Sequence, residues 1–467
     1  MKKLFCLLAS LLLSVVMLFC GCSFLGADGI DGRDGKDGQN VTINDIYNQY
    51  VSEHGATSFE DFLKEYLGYS GSDIDEAASL RNAINRSLMS GVTILTRFAY
   101  TGHRGGSTTY SIFTGSGAIL WMNKSAGDAY VVTNCHVIYD DSSNSTYCTD
   151  IRLYLYGQDA KGVNYNITVN SNEIVDDEKY CMPAQIVGAS VSYDIALLKV
   201  TGSEALKRSD AVAVSSKSTV AEALNDAFIQ DEWSTVGETV YAIGNASGEG
   251  MSASSGIVSM DSEHIDVNLS DIDSRASNSY RVLRTTAPIN HGNSGGGLYN
   301  TSGKLVGIVN AKDEASDVDN MGYALPANMV RRLLVSMYEN EGKTVQGSNG
   351  KKYGTSEAIL NIKTKVFDSY SKLEDGIVRI YDTVKIIAIE GAPGRNVFKI
   401  GDIFVRGKLI SSSGEVKENT ALSRNYSWSE LLIAVSEGDT LTFTIERDNA
   451  EQEVSIKFES SHFRYHE

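Results

Sequence analysis

The sequence predicts a mainly β protein in three parts: a short helical segment at residues 41–90, a double β-barrel domain at 91–340, and a smaller α+β domain at 357–460. Three observations carry this. Between Val92 and Leu325, short apolar runs alternate with polar loops rich in Gly and Ser; among them are Val92 to Ala99, Phe113 to Trp121, Ile151 to Tyr156, Ala184 to Val187 and Val240 to Gly244. The helical spacers of a βαβ array are missing between them, so two barrels fit better than a parallel sheet. Helical periodicity falls outside that stretch, before Val92 and after Leu325. Finally, 467 residues, 42% hydrophobic and 21% charged, suffice for two or three separate cores.

Residues 1–21 are expected to be an export signal, with Lys2 and Lys3 as the positive end and Leu4 to Phe19 as the apolar stretch. The signal ends in Phe19-Cys20-Gly21-Cys22, which resembles a bacterial lipoprotein box with Cys22 as the lipidated residue. Acyl chains on Cys22 would hold the protein to the extracytoplasmic side of the bacterial cell membrane. A soluble secreted form and an uncleaved signal anchor are the alternatives. The net charge of −18, made more negative by loss of Lys2 and Lys3, argues against nucleic acid as a partner.

Gly26 to Gly38 repeats Gly-x-Asp four times. The period is that of collagen, but with no proline and so few triplets a stable triple helix is not expected. Residues 22–40 therefore read as an acidic tether. Two amphipathic helices should follow, one with Ile43, Ile46, Tyr47, Tyr50 and Val51 on a face, the next with Phe59, Phe62, Leu63, Tyr66 and Leu67. Thr57 and Glu60 form a capping box for the second, and His54-Gly55-Ala56 is the turn between them. A third helix, opened by Asp73 and Glu76 and carrying Leu80, Ile84 and Leu88 on one face, leads into the first strand. Once Cys6 and Cys20 leave with the signal and Cys22 is lipidated, Cys135, Cys148 and Cys181 are left. This odd set leaves room for one disulfide plus one free thiol, with Cys148 and Cys181 the first pair to test and Cys135 as buried filler.

Three residues stand out chemically. Ala129 to Val132 reads as a strand ending in Thr133-Asn134-Cys135-His136-Val137, which places His136, a base at neutral pH, where strand gives way to loop. Asp194 heads the apolar run Ile195-Ala196-Leu197-Leu198, and a carboxylate so near a core needs a partner, for which the ring N–H of His136 would serve. Asn290 to Gly297 sets Ser294 among four glycines, a composition that lets the N–H groups of Gly292 and Ser294 aim at one oxyanion. Taken singly, these are an ordinary loop histidine, a strand-start carboxylate and a glycine turn. Together they are a base, its orienting acid and a nucleophile. The sequence shows no cluster with metal-ligand spacing, and this chemistry calls for no cofactor.

The motifs around these residues resemble, in order, those of the HtrA/DegP type of trypsin-like serine protease. Gly115-Ser116-Gly117-Ala118-Ile119 is similar to the strand before the histidine, Thr133 to Val137 to the Thr-Asn-x-His-Val motif, and Asp194 to Leu198 to Asp-Ile-Ala-Leu-Leu. Tyr241 to Asn245 with Gly256 to Ser259 resembles the strand pair before the active-site loop, and Gly322 to Pro326 the closing strand. The resemblance implies a chymotrypsin/trypsin-like double β-barrel with His136 and Asp194 in its first half, Ser294 in its second, and the site in the cleft between them. It also implies a homotrimer and a preference for a small or medium apolar residue before the scissile bond, in keeping with the uncharged Thr286 to Asn290. His291 and Gly297 stand where relatives have proline, and Asp313 to Asn320 resembles a regulatory loop.

Ala327 to Tyr338 should be an amphipathic helix after Pro326, and residues 341–356 a linker. The stretch 357–460 resembles a PDZ domain through Gly391-Ala392-Pro393-Gly394, Gly401-Asp402, a helix near Trp428 to Val435 and Gly438-Asp439. Such a domain would take an extended C-terminal peptide by strand addition. Two functions are therefore expected to compete: a membrane-tethered serine endopeptidase acting on unfolded or exported proteins through an acyl-enzyme, and a catalytically silent peptide-binding or chaperone protein on a protease scaffold.

Overall fold

The computed structural model describes residues 47–48, 50–52, 62, 71–101, 107–158, 180–230, 235–268, 277–312, 321–343 and 353–466. The expected signal, Cys22, the Gly-x-Asp tether, most of the helical pair and the acidic loop 313–320 lie outside the described residues. The chain divides into two compact units, Met1–Ile74 and Asp75–Glu467. In the first, Tyr47 and Tyr50 each pack on Phe62, with ring centroids 5.3 and 5.2 Å apart.

Helix α1 (Gly71–Ser90) runs into the second unit, where Leu80, Ile84 and Leu88 pack on a large apolar cluster, as its periodicity predicts. Two closed six-stranded barrels follow. The first has strand order β1-β2-β3-β6-β5-β4, built from β1 (Gly91–Thr101), β2 (Thr108–Asn123), β3 (Asp128–Thr133), β4 (Asp150–Leu155), β5 (Met182–Ser190) and β6 (Ile195–Val200). Short helices α2 (Glu204–Arg208) and α3 (Val220–Asp226) lead to the second barrel, whose order is β10-β11-β12-β9-β8-β7. Its strands are β7 (Thr239–Gly244), β8 (Ser252–Asn268), β9 (Ser277–Thr285), β10 (Gly297–Asn300), β11 (Leu305–Lys312) and β12 (Gly322–Pro326).

Alternation along the strands explains why these runs read as continuously apolar. Successive side chains point to opposite faces. On β6, Leu198 enters the core of the first barrel while Leu197 joins a cluster drawn from both barrels; on β12, Ala324 fills the second barrel and Leu325 joins that same shared cluster. Each strand is thus buried on both sides at the seam, and helix α4 (Ala327–Glu339) adds Leu333, Leu334 and Met337 to it.

Cys148 and Cys181, whose pairing the sequence leaves open, form no disulfide. Cys148 carries a free thiol against the first barrel's core, whereas Cys181 is buried in a separate cluster beside Leu95 and Tyr154. Burial pushes the Cys148 thiol up to about 12, so it stays protonated and unreactive. Cys135 fills the first barrel as expected.

The C-terminal part is a sheet in the order β14-β15-β16-β18-β19, with β17 on β16: β13 (Thr355–Ala358), β14 (Ile362–Glu374), β15 (Ile377–Ile389), β16 (Ile403–Ile410), β17 (Val416–Ala421), helix α5 (Ser427–Ile433), β18 (Thr440–Arg447), β19 (Ala450–Lys457) and β20 (Phe463–His466). Strand β13 pairs with β20 and begins inside the stretch expected to be linker, because its backbone groups find partners at the far end of the chain. Leu409, Leu431, Leu441, Phe443 and Phe458 form the core.

Buried ion pairs join this part to the second barrel. Arg281 on β9 makes a two-pronged contact with Glu430 on α5, at 2.5 and 2.9 Å, and stacks on the Tyr426 ring at 3.8 Å. Arg332 on α4 grips Glu418 at 3.0 and 2.7 Å, and Arg424 pairs with Asp261. Burial works against the Arg281 charge, but the Glu430 carboxylate more than compensates and raises its pKa. Removing one partner of such a pair strands a buried charge, so Glu430→Ala is expected to destabilise the protein by about 3–5 kcal/mol. Calorimetric unfolding checks this; a change below about 1 kcal/mol would show that the pair does not hold the interface.

Candidate active site

The site lies where the barrels meet. Directly after β3 the chain makes one 3-10 turn, Cys135–Val137. That turn buries Cys135 and Val137 in the first barrel and leaves the His136 side chain one-third exposed. Asp194 precedes β6 in the left-handed region, at φ 52°, a conformation sparsely used by residues other than glycine, and is wholly buried. A buried carboxylate requires donors, and here they converge. Its Oδ1 accepts the His136 backbone N–H at 2.8 Å, and its Oδ2 lies 2.7 Å from His136 Nδ1 and accepts the Asn310 side-chain amide at 2.5 Å. Asn134 adds a bond from its amide to the Asp194 carbonyl, 2.9 Å. Burial opposes the imidazolium, yet the charge and hydrogen bond of Asp194 prevail and raise the His136 pKa above 6.5.

Ser294 reaches this group from the second barrel. Its hydroxyl donates to the Asn310 carbonyl, 3.1 Å, while the Asn310 side chain holds Asp194. The sequence-predicted base and acid are therefore in direct contact, and the nucleophile is joined to the same carboxylate through one residue. The loop around it depends on glycine at two positions. Gly292 sits at φ 89°, where a Cβ would come within 2.2 Å of the Asn245 carbonyl. Gly295, at φ 85°, would meet the Ser116 carbonyl and the Thr133 hydroxyl, each at 2.2 Å. A larger residue at 295 would push the Ser294 loop off the first barrel, and one at 292 would drive it off the turn after β7.

Two functional candidates were not foreseen. Asn310 lies at a bulge in β11, between Val309 and Ala311, which turns its side chain into the site. Tyr280 on β9 donates its hydroxyl to Asn310 Oδ1 at 2.9 Å, and both residues are buried. A lone amide closing the apolar run Leu305 to Val309 was a usable signal for Asn310; nothing in the local sequence marks Tyr280. Among the described residues, no group of three or more His, Cys, Asp or Glu side chains is placed to hold a metal.

A family model for the trypsin-like peptidase domain matches residues 115–308. HtrA-like serine proteases of Staphylococcus aureus strains MRSA252 and USA300 are each 24% identical over 350 residues, covering 73% of this chain and 37% of theirs. The chain thus spans well under half the length of these curated relatives. Among solved structures, the HtrA-type protease AlgW with a decapeptide matches 82% of this chain and 98% of its own, at 17% identity and TM-score 0.46. The serine endoprotease from Yersinia pestis matches 81% and 97%, at 19% identity and TM-score 0.40. Two closed barrels, with a match to the trypsin-like peptidase domain that starts at the Gly115 strand, give the chain a trypsin-like peptidase domain at residues 115–308 and a similarity to HtrA-like serine proteases along most of its length.

Proposed function

We propose that this protein is a serine endopeptidase that cleaves unfolded or exported proteins while tethered to the outer face of a bacterial cell membrane through lipid on Cys22. The observation that carries the catalytic part is the 2.7 Å contact between His136 Nδ1 and a fully buried Asp194 carboxylate. That contact holds the ring as the tautomer whose far nitrogen is free to accept a proton. His136 takes the proton of Ser294 as the hydroxyl oxygen attacks a peptide carbonyl, then returns it to the departing amine. The N–H groups of Gly292 and Ser294 bind the oxyanion, and water releases the acyl-enzyme. Side chains and water suffice for every step.

The C-terminal sheet with α5 acts as a PDZ-like domain, taking extended peptide ends by strand addition. A homotrimer is the assembly the family resemblance favours.

One observation favours the silent peptide-binding reading: the Ser294 hydroxyl rests on the Asn310 carbonyl. Fluorophosphonate labelling separates the two. Covalent label should appear on the wild type and vanish in His136→Ala. A wild-type protein that binds unfolded casein yet takes no label would sink the endopeptidase.

A further inference from the structure

We infer that Ser116, on the first barrel, is the positioning residue that pins the peptides next to the two oxyanion-donor N–H groups in the nucleophile loop on the second. The inference rests on Ser294 being the nucleophile. Ser116 is fully buried on β2 and reaches across the seam three times. Its N–H donates to the Ser294 carbonyl at 2.8 Å, its hydroxyl donates to the Gly292 carbonyl at 2.6 Å, and the same oxygen accepts the Asn245 N–H at 2.8 Å. The direction of the hydroxyl proton is unambiguous, since Asn245 offers a donor and Gly292 an acceptor. Thr133, one strand away, braces Ser116 from behind by donating its hydroxyl to the Ser116 carbonyl at 2.7 Å.

The loop needs such an external hold. Gly292, at φ 89°, can turn about both backbone torsions at little cost, so its own sterics do not decide where its N–H points. Two contacts decide it instead. The carbonyl of His291 accepts the Ser247 N–H at 2.6 Å, which directs the N–H on the other side of that trans peptide, that of Gly292, the opposite way. The next carbonyl, that of Gly292, is pinned by the Ser116 hydroxyl. With both peptide planes held, the Gly292 donor is oriented before substrate arrives, which is the condition under which an oxyanion donor is effective. The Ser247 contact, made by backbone alone, holds the plane before the Gly292 torsions, and the Ser116 side chain holds the plane after them, so rotation at Gly292 is checked from both sides.

Removing an oxyanion donor outright costs about 100- to 1,000-fold in turnover. Ser116→Ala only frees the donor to reorient, so a loss of about 10- to 100-fold in kcat is expected with KM within about threefold. A peptide aldehyde, whose adduct with Ser294 places an oxyanion in the same spot, should lose affinity by the same factor as kcat. The unreactive peptide of the same sequence should bind as before. The full chain is used throughout, and where the alanine variant fails to fold, Ser116→Cys keeps the volume with a far weaker donor and should show the same pattern. The inference is overturned if kcat and aldehyde affinity both stay within threefold of wild type, or if kcat falls while aldehyde affinity does not. A wild-type protein that reacts with neither aldehyde nor fluorophosphonate overturns the nucleophile itself, a result distinct from either.

Discussion

Ser294→Ala is expected to lower kcat by about a millionfold while leaving the protein folded and able to bind substrate. The size follows from how a nucleophile, its base and the orienting acid act as one unit: loss of the nucleophile alone costs nearly as much as loss of all three. What is left is the catalysis that oxyanion donors and binding supply by themselves, about 10³–10⁴ over water. Folding should be little affected, because the Ser294 hydroxyl makes one neutral hydrogen bond, to the Asn310 carbonyl, worth about 1 kcal/mol. Nor does the His136–Asp194 contact run through Ser294. Turnover of a chromogenic peptide and a thermal midpoint measure both. A variant retaining more than about one-hundredth of the wild-type rate would remove Ser294 from the chemistry.

Asp194→Asn is expected to cost about 10⁴-fold in kcat. The carboxylate of Asp194 accepts from three groups: the His136 backbone N–H, the His136 ring and the Asn310 amide. An amide in its place offers one acceptor oxygen and a donor that must face another donor. The cheapest repair is to turn the ring to the tautomer whose far nitrogen carries a proton and cannot accept one from Ser294. The pH profile gives a second reading. Below its pKa, His136 is an imidazolium and cannot act as base, so kcat/KM falls as pH drops through that value. Asp194 raises that pKa above 6.5, so the acid limb of the wild type should lie above pH 6.5. In Asp194→Asn the charge that raised it is gone, and the limb should move to lower pH. An acid limb that stays in place would show that Asp194 does not govern the imidazole.

Much of this site was legible because its members carry chemistry in short local patterns. Thr133 to Val137 places a base at a strand end, Asp194 heads an apolar run, and Asn290 to Gly297 crowds glycine around a hydroxyl. Asn310 and Tyr280 escaped because a hydrogen-bonding role in a closed barrel depends on which strands become neighbours, and local sequence does not carry that. The same applies to Arg281 and Glu430, 149 positions apart, whose charges read as ordinary surface until β9 and α5 are brought together. Whether Cys148 and Cys181 pair was open for the same reason: packing sends the two sulfurs to different clusters, which their positions in the sequence do not show.

The sequence by itself determined the chemistry available, the mainly β class and the candidates for base, acid and nucleophile, His136, Asp194 and Ser294. Those are properties of side-chain type and short-range period, which a linear chain already contains. Tertiary structure alone decided which buried donors hold Asp194, which thiols stay apart, and that Ser116 reaches from one barrel to set the loop of the other. Each of these is a contact between residues distant in sequence, and it exists only once both barrels have closed and packed against each other.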